Sequence, residues 1–358
     1  MRILITAAGG ELARPTAKSL KRGNPRAFLV GIDVDPTYLP LATVDKRYTV
    51  PRASSRDYFE AIERICRENR IDLIVPQTDV EIYLLGKRRD HLPAKLWLPR
   101  QEVIEKCRDK FTCQQQLAFT CQQQLAENKV PVPETRLAQP FGEVREMLSK
   151  HQHVWLRASI GSGGIGAKLV VTVKEAQNWL EKFGPETQFT VAEYLPGAIF
   201  AWNSVWRKGK LVLYQAVERL RYHLTSDSAT SLGVGTSVIR TTGRKEVGRI
   251  GRAAVAALDP EPDGIYAVDM TENKRGTPCV TEINAGRFVT TSTMLLEKAN
   301  CFFPWYAIQI FRGKPITLKK RFNPIKPNLY LVGGRIADPV LVTEKEVKIP
   351  SWQSISKE

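Results

Sequence analysis

The chain has 358 residues, of which 43% are hydrophobic and 25% charged, so it is long enough for two or three domains with ordinary cores. Its 53 lysines and arginines outnumber its 37 aspartates and glutamates, which gives a formal net charge of +16. This balance excludes an acidic disordered chain and favours an anionic partner, such as a nucleic acid, a membrane surface or a phosphate-bearing ligand.

Several protein classes are disfavoured by patterns that the sequence lacks. Met1–Thr6 leads directly into a strand pattern without the apolar region of a secretory signal, and no stretch approaches the ~20 apolar residues that cross a bilayer. The six cysteines form no C-x-x-C pair, which predicts reduced thiols and no zinc site. Nucleic-acid binding has no motif and rests on charge alone. We therefore expect a cytoplasmic protein with no membrane partner.

The first hundred residues alternate between strand and helix patterns. Apolar runs at Ile3–Ile5, Phe28–Asp33 and Ile71–Pro76 indicate buried strands, with helix patterns between them. This rhythm predicts a doubly wound parallel sheet. Asp79 and Glu81 follow the third strand, where they either cap the next helix or meet an amine substrate.

A perfect tandem repeat follows this region. The eight residues Phe111–Ala118 (FTCQQQLA) recur without change as Phe119–Ala126. Because eight residues turn a helix by about 80° beyond two full turns, the two copies cannot bury the same face. Lys110 precedes the first copy and Ala118 precedes the second. Either the first copy packs against the core, with a lysine before it, or the second copy does, with an alanine before it, and both alternatives stay open.

The chain beyond the repeat predicts antiparallel strands around a glycine-rich loop. A strand pattern at Val154–Arg157 leads into Gly161–Gly166 (GSGGIG), and a return strand is predicted from Lys168 to Val173. Glycines at this density allow backbone N–H groups to close over phosphates, although an exposed flexible hairpin is the alternative.

A later hairpin brings oxygen-bearing side chains together. Strand patterns at 264–270 and 279–284 flank a turn, which places Asp269 opposite Glu282. The strand period of two puts Asn284 on the same face as Glu282. Two carboxylates and an amide oxygen suit Mg²⁺ that bridges phosphates, whereas an acidic surface hairpin is the alternative.

Short motifs follow one another in a characteristic order: Asp109-Lys110, V-P-V-P at 130–133, R-x-x-x-G-S-G-G at 157–164, A-E-Y-L-P-G at 192–197, and V-D-M with T-E-I-N at 268–270 and 281–284. This order resembles the ATP-grasp superfamily. The resemblance is closest to the carboxylate–amine ligase branch whose sequences resemble half of the carbamoyl-phosphate synthetase large subunit, and it covers roughly residues 1–315.

The resemblance implies a fold of mixed α/β and α+β character in three parts. A doubly wound pre-ATP-grasp domain would occupy residues 1–105. An ATP-grasp domain would follow at 106–315, with a glycine-rich flap subdomain at about 130–195. A small tail would complete the chain at 316–358.

The resemblance also implies an ATP site. The residues that match its nucleotide contacts are Lys110, Arg157, Ser162, Gly163, Gly164, Glu193, Tyr194, Leu195 and His223. The two basic residues match those that hold the phosphates, and the serine and glycines match the flap above them. Residues 193–195 match the hinge that recognises adenine, largely through backbone groups. The match of His223 to the lining of the nucleotide or acceptor pocket is looser.

For metal and catalysis, the resemblance implies Mg²⁺ ligands at Asp269, Glu282 and Asn284, with two ions expected and Mn²⁺ as an alternative. Asn284 and Arg287 become candidate catalytic residues, because Arg287 matches the group that steadies the transferred phosphoryl group. The implied reaction phosphorylates a carboxylate with ATP, after which an amine attacks the acyl-phosphate and ADP and phosphate are released. Small-molecule or peptide carboxylates and amines are the implied substrates; acidic substrates and a homodimer stay open.

Some positions depart from the family pattern. Arg157-Ala158 stands where Lys-Pro is usual, Ile199-Phe200 replaces the ribose-binding acid, and Asn284–Arg287 is one residue longer than the usual N-P-R. The missing ribose-binding acid, and a repeat whose second copy follows Ala118 where lysine is expected, favour an alternative function, a catalytically weak or inactive nucleotide-binding or regulatory ATP-grasp module. ATP binding without ADP formation would distinguish it.

Overall fold

The computed structural model describes residues 1–123, 130–161, 164, 166–222, 236–333 and 338–346, with side chains for all of these except 119–123 and 236. Within these ranges the chain forms one parallel and two antiparallel sheets, with helices packed against them. The described helices include none that is long and apolar enough to cross a membrane.

The first sheet is parallel, with the strand order β3-β2-β1-β4-β5. Its strands are β1 (Arg2–Ile5), β2 (Phe28–Asp33), β3 (Lys46–Thr49), β4 (Leu73–Val75) and β5 (Lys95–Leu96). The helices that connect them are α1 (Arg14–Gly23), α2 (Tyr58–Glu68) and α3 (Asp79–Lys87). Along β1, Ile3 and Ile5 face one core and Leu4 the other, because successive strand residues point to opposite faces. The predicted doubly wound parallel sheet is confirmed.

Helix α3 begins with a capping box. The Thr78 hydroxyl accepts a hydrogen bond from the backbone N–H of Glu81 and donates one to the Glu81 carboxylate. The same carboxylate accepts hydrogen bonds from the hydroxyls of Thr6 and Tyr58, and burial raises its pKa. Of the two roles left open for Glu81, the structure shows helix capping.

Two helices, α4 (Gln101–Arg108) and α5 (Lys110–Gln123), lead from the first sheet to the rest of the chain. Asp109 has an extended backbone and breaks the helix between them, and its carboxylate caps the first turn of α5. In the first copy of the repeat, Cys113, Gln114 and Leu117 are buried. The first copy therefore keeps the packed register, with Lys110 at its start.

The smaller antiparallel sheet has the order β6-β9-β7-β8. Its strands are β6 (Thr135–Leu137), β7 (Val154–Ala158), β8 (Lys168–Val170) and β9 (Phe189–Glu193). The helices α6 (Gly142–His151) and α7 (Val173–Leu180) cover one face, over a core that includes Leu156 and Val191. The predicted strand and return strand are present as β7 and β8, although β8 ends at Val170 and Val173 already begins α7. Of the glycine loop between them, residues 162, 163 and 165 lie outside the described residues.

The larger sheet is antiparallel, with the order β14-β13-β10-β11-β12-β15-β16. Its strands are β10 (Ile199–Arg207), β11 (Lys210–Tyr222), β12 (Thr236–Thr241), β13 (Gly264–Glu272), β14 (Pro278–Ala285), β15 (Leu329–Val332) and β16 (Val340–Thr343). Helix α8 (Lys245–Leu258) packs on the face that carries Phe200 and Trp202. Helices α9 (Thr290–Lys298) and α10 (Phe303–Phe311) pack on α1 and share the core of the opposite face with Ala201 and Val205.

Candidate active site

The hairpin of β13 and β14 has the predicted register. Asp269 pairs with Glu282 and Ala267 with Asn284, with a bulge directly after Asp269. The two carboxylates are mostly shielded from solvent, since the Asp269 side chain is 18% exposed and that of Glu282 24%. The sequence interpretation placed Asp269, Glu282 and Asn284 together, and the register of the hairpin confirms that juxtaposition.

Two basic residues converge on Glu282 from different elements. Lys110 Nζ lies 3.9 Å from Glu282 Oε1, and Arg157 Nη1 lies 3.8 Å from Oε2. Burial raises the pKa of the Glu282 carboxyl, but the nearby positive charges outweigh burial and hold the pKa below its ordinary value. No described group donates a hydrogen bond to either Glu282 oxygen, so this ionised carboxylate keeps its capacity to bind a cation.

Lys110 is fixed at the root of the glycine loop. Its Nζ donates to the Gly161 carbonyl at 2.6 Å, and its backbone N–H donates to the Ser159 carbonyl at 2.9 Å. The Ser159 hydroxyl donates in turn to the Asp109 carboxylate that caps α5. The helix start and the loop therefore hold each other in place.

Arg157 lies on β7 and points toward the same hairpin. Its Nη2 donates to the Thr281 carbonyl at 2.7 Å, next to Glu282. Its Nε is buried without a hydrogen-bond partner in the described part of the chain, and burial lowers the pKa of its guanidinium. A buried donor without a partner is uncommon and is consistent with a ligand that accepts from it.

Sequence reasoning missed Arg219, which lies on β11. Its Nη2 donates to Asp269 Oδ1 at 2.9 Å. Strand β10 runs between the two and places the small side chain of Ala201 directly beside Asp269. Burial raises the pKa of the Asp269 carboxyl despite the opposing effect of Arg219. The signal that the sequence offered was weak, because Arg219 is one of four charged residues along β11.

Arg287 connects the hairpin to the N-terminal parallel sheet. Its Nε donates to Asp79 Oδ1 and its Nη2 to Asn284 Oδ1, both at 2.8 Å. The preceding Gly286 has a φ of 101°, and a Cβ there would lie 2.8 Å from the Leu98 side chain. This position therefore favours glycine, which directs the chain from Asn284 to Arg287. Asp79 therefore contacts an arginine of the site.

A cleft opens where these elements meet. Its polar lining includes Asp79 of α3, Lys110 of α5, the Gly161 backbone of the loop, and Glu282 and Asn284 of β14. Arg157, Asp269 and Arg287 contact or face this lining through the interactions above. The structure thus brings together the basic residues and the oxygen ligands that the sequence interpretation assigned to one site.

A second pocket adjoins the same helix. It is lined by Gln114, Gln115, Ala118, residues 132–135 and Glu193. Gln114 follows Lys110 by one helical turn, so α5 connects the cleft to this pocket. Glu193, at the end of β9, lines this pocket together with residues of α5. Its expected role in recognising adenine stays a prediction.

The remaining predicted nucleotide contacts have different positions. Tyr194 is exposed and lies against Trp155, while Leu195 is buried; neither is among the described residues that line the pocket. Gly164 is exposed in a turn with a φ of 75°. The predicted site residues Ser162, Gly163 and His223 lie outside the described residues.

The donor set of the cleft fits Mg²⁺ in the company of phosphates. Asp269, Glu282 and Asn284 supply the hard oxygen ligands that Mg²⁺ prefers. The described charged groups that line the cleft or contact these ligands are five cations and three carboxylates, 5 − 3 = +2: Arg108, Lys110, Arg157, Arg219, Arg287, Asp79, Asp269 and Glu282. Because the net charge is positive, an anionic ligand such as phosphate would make binding of a metal ion here more favourable.

The chain was compared with protein families and with curated protein sequences. Residues 3–95 match the family model described as PylC-like, N-terminal domain. No relative was found among curated protein sequences.

Solved structures match most of the chain. They include L-amino acid ligase from Bacillus licheniformis (TM-score 0.66, 14% identity), with 92% of this chain and 78% of that chain covered. Carboxyaminoimidazole ribonucleotide synthase from Aspergillus clavatus matches with a TM-score of 0.66 and 17% identity, covering 92% and 81%. Biotin carboxylase from Campylobacter jejuni matches with a TM-score of 0.68 and 16% identity, covering 92% and 74%. The chain therefore shares the fold of these three enzymes over most of its length, and its residues 3–95 are similar to the PylC-like N-terminal domain.

Proposed function

We propose that the protein is an ATP-dependent ligase that activates a carboxylate as an acyl-phosphate for attack by an amine, with release of ADP and phosphate. The convergence of Lys110, Arg157 and Arg287 with the oxygen ligands Asp269 and Glu282 carries the proposal. Cations and hard oxygens in one cleft are what a metal–nucleotide complex requires. Structures of the same fold include a complex with ATP and one with MgADP.

The residues of the cleft would act mainly by positioning and by neutralising charge. Lys110 and Arg157 would bind the phosphates, since each already lies close to Glu282 without donating to it. Asp269, Glu282 and Asn284 would hold Mg²⁺, which neutralises phosphate charge when bound. The loop that begins at Gly161 would cover the phosphates and exclude water from the acyl-phosphate.

Arg287 would contact the transferred phosphoryl group. Its guanidinium spans Asp79 and Asn284, so one side chain joins the N-terminal unit to the metal-ligand strand. A fixed planar cation at this point would stabilise negative charge as it moves from ATP to the carboxylate. The acceptor amine must arrive uncharged to attack.

The test uses hydroxylamine in place of the unknown amine. We expect a panel of carboxylic acids to include at least one that yields ADP, phosphate and a hydroxamate with ATP and Mg²⁺. Glu282→Ala should abolish both this turnover and Mg²⁺-dependent ATP binding, whereas Glu261→Ala, at an exposed carboxylate outside the cleft, should change neither. Unchanged turnover and unchanged Mg²⁺-dependent binding in Glu282→Ala would show that the metal assignment is wrong.

A nucleotide-binding module without turnover is the second candidate. The Arg219–Asp269 ion pair favours it, because it already neutralises one proposed metal ligand, and Ile199-Phe200 stands where the ribose-binding acid is usual. Calorimetry distinguishes the two candidates. Tight ATP binding with no ADP formation on any acid would favour the module over the ligase.

A further inference from the structure

Arg219 has a direct contact that sets it apart from the other cations of the cleft. Lys110 and Arg157 lie 3.8–3.9 Å from Glu282 and donate to backbone carbonyls instead. Arg219 donates directly to Asp269 at 2.9 Å, with the two side chains 17% and 18% exposed. Among the described cations of the cleft, it is the one hydrogen-bonded to a carboxylate that we assign to Mg²⁺.

Arg219 contacts Oδ1 of Asp269, so a metal ion on the other oxygen would compete for the same negative charge, and one that takes both oxygens would displace the contact. The guanidinium would then lack its full counter-charge while remaining largely shielded from water, which is costly. Its further hydrogen bond, to Tyr222, is to a neutral phenol whose pKa burial raises. Arg219 would therefore need a new anionic partner at the moment that the metal–nucleotide complex arrives.

A substrate carboxylate has the chemistry of the partner that Arg219 loses. Both present two oxygens in a plane, which match the planar fork of a guanidinium. For phosphate groups, Lys110 and Arg157 are better placed than Arg219. Lys110 donates to Gly161 of the glycine loop, and Arg157 lies on β7, which leads into that loop. The side chain of Arg219 projects from β11 and approaches the hairpin from the side of Asp269.

Building on the proposed function, we propose that Arg219 is the carboxylate-binding residue of the site. Asp269 holds it in the free protein, and the substrate carboxylate takes the place of Asp269 once the metal–nucleotide complex engages that residue. Two consequences follow from this exchange. Arg219 opposes binding of a metal ion alone, and nucleotide and carboxylate strengthen each other's binding by the same factor.

The first measurement is a titration with Mn²⁺ in the absence of nucleotide, in which electron paramagnetic resonance detects the free ion. We expect Arg219→Met to bind Mn²⁺ more tightly than the wild-type protein, on the order of tenfold, because the competing cation is gone. Arg240→Met is the matched control, since Arg240 lies on the same sheet and its described partners, Glu218 at 2.8 Å and Tyr330, are outside the cleft. It should leave Mn²⁺ affinity unchanged.

The second measurement is calorimetry of a non-hydrolysable ATP analogue with Mg²⁺, with sodium acetate as the carboxylate. Acetate should tighten analogue binding to the wild-type protein and to Arg240→Met, on the order of fivefold. It should have no effect on Arg219→Met. Should that variant fail to fold, Arg219→Lys keeps the charge but loses the fork, and the acetate effect should be smaller than in the wild type.

The outcomes separate this inference from the proposed function. Equal Mn²⁺ affinity in the wild-type protein and Arg219→Met overturns the role of Arg219, as does an acetate effect that survives in Arg219→Met or stays undiminished in Arg219→Lys. If the wild-type protein binds no nucleotide with Mg²⁺, the proposed function fails and this inference fails with it.

Discussion

The ammonium group of Lys110 is buried where the start of α5, the glycine loop and strand β14 meet. It is 8% exposed, and its direct partner is the neutral carbonyl of Gly161. Glu282 supplies a compensating charge at a longer distance, 3.9 Å. A buried cation that is balanced by a carboxylate but not hydrogen-bonded to it retains donors for an anionic ligand.

We expect Lys110→Met to weaken ATP binding on the order of tenfold to a hundredfold, since a hydrogen bond to a charged phosphate is lost. Calorimetry with ATP and Mg²⁺ measures the dissociation constant. Lys106→Met, four residues earlier on α4, should bind ATP as the wild-type protein does. An unchanged dissociation constant in Lys110→Met would remove this lysine from the proposed phosphate site.

The residues that sequence reasoning predicted and the ones it missed differ in how they meet. Asp269 and Glu282 belong to one hairpin, so strand alternation alone places them face to face. Arg219, which was missed, is 50 positions from Asp269. Arg287 was predicted from the family resemblance, but its pairing with Asp79, 208 positions away, was not. Such pairs depend on sheet order and on the packing of one sheet near another, which periodicity does not encode.

At the scale of elements, α5 lines both pockets, and its packing holds the first copy of the repeat in place. Gln114 donates to the carbonyls of Val280 and Thr281, at 2.9 and 2.8 Å, and ties the helix to β14. Cys113 and Leu117 are buried in the same core as α8. The first copy of the repeat thus supplies the described packing, and Lys110 keeps its place in the cleft.

Removal of one copy tests this conclusion. Deletion of residues 111–118 or of 119–126 yields the same shortened chain, with Lys110 before a single copy. Residues 127–129 would then link Ala118 to Val130, a step of up to about 13 Å. That step is plausible sterically, because Ala118 and Val132 line one pocket.

The shortened chain lacks the end of α5 at residues 119–123, but it keeps the buried side chains of Cys113, Gln114 and Leu117. We expect it to unfold in urea with a free energy within about 1 kcal/mol of the full-length value, because a shorter link alters closure entropy little. Its affinity for ATP should be unchanged. Loss of ATP binding, or a destabilisation of several kcal/mol, would mean that the second copy supplies packing that the site requires.

Local patterns also explain which elements were predicted. Three strands of the N-terminal sheet, β1, β2 and β4, are buried apolar runs that the sequence reveals, whereas the short strands β3 and β5 carry no such run. The hairpin of β13 and β14 is revealed by its short turn. The edge of the larger sheet is different, because β15 pairs with β12 across almost a hundred residues. Its place depends on tertiary packing of α9 and α10 between them in the chain.

At the scale of the whole molecule, the charge of +16 is distributed unevenly. The cleft accounts for a net +2 of it, which leaves 16 − 2 = +14 elsewhere. The stretch 312–328, between α10 and β15, carries no acidic residue and six exposed basic ones: Arg312, Lys314, Lys319, Lys320, Arg321 and Lys326. A positive surface of this kind raises the local concentration of anionic ligands such as ATP.

The cleft is a property of the assembled molecule. One hydrophobic core includes Ile3 of β1, Ala201 of β10 and Phe303 of α10, so the parallel sheet and the larger sheet pack through common side chains. The Arg287–Asp79 ion pair crosses the same boundary. The proposed chemistry therefore requires both units in contact.

The central claim is that the protein transfers a phosphoryl group from ATP to a carboxylate. The most direct measurement supplies a carboxylic acid labelled with ¹⁸O in its carboxylate, with ATP, Mg²⁺ and hydroxylamine, and determines the label in the products by mass spectrometry. An acyl-phosphate keeps one carboxylate oxygen in the phosphate that leaves, so we predict ¹⁸O in inorganic phosphate together with unlabelled ADP. Unlabelled phosphate, or label in AMP released with pyrophosphate, would contradict the account.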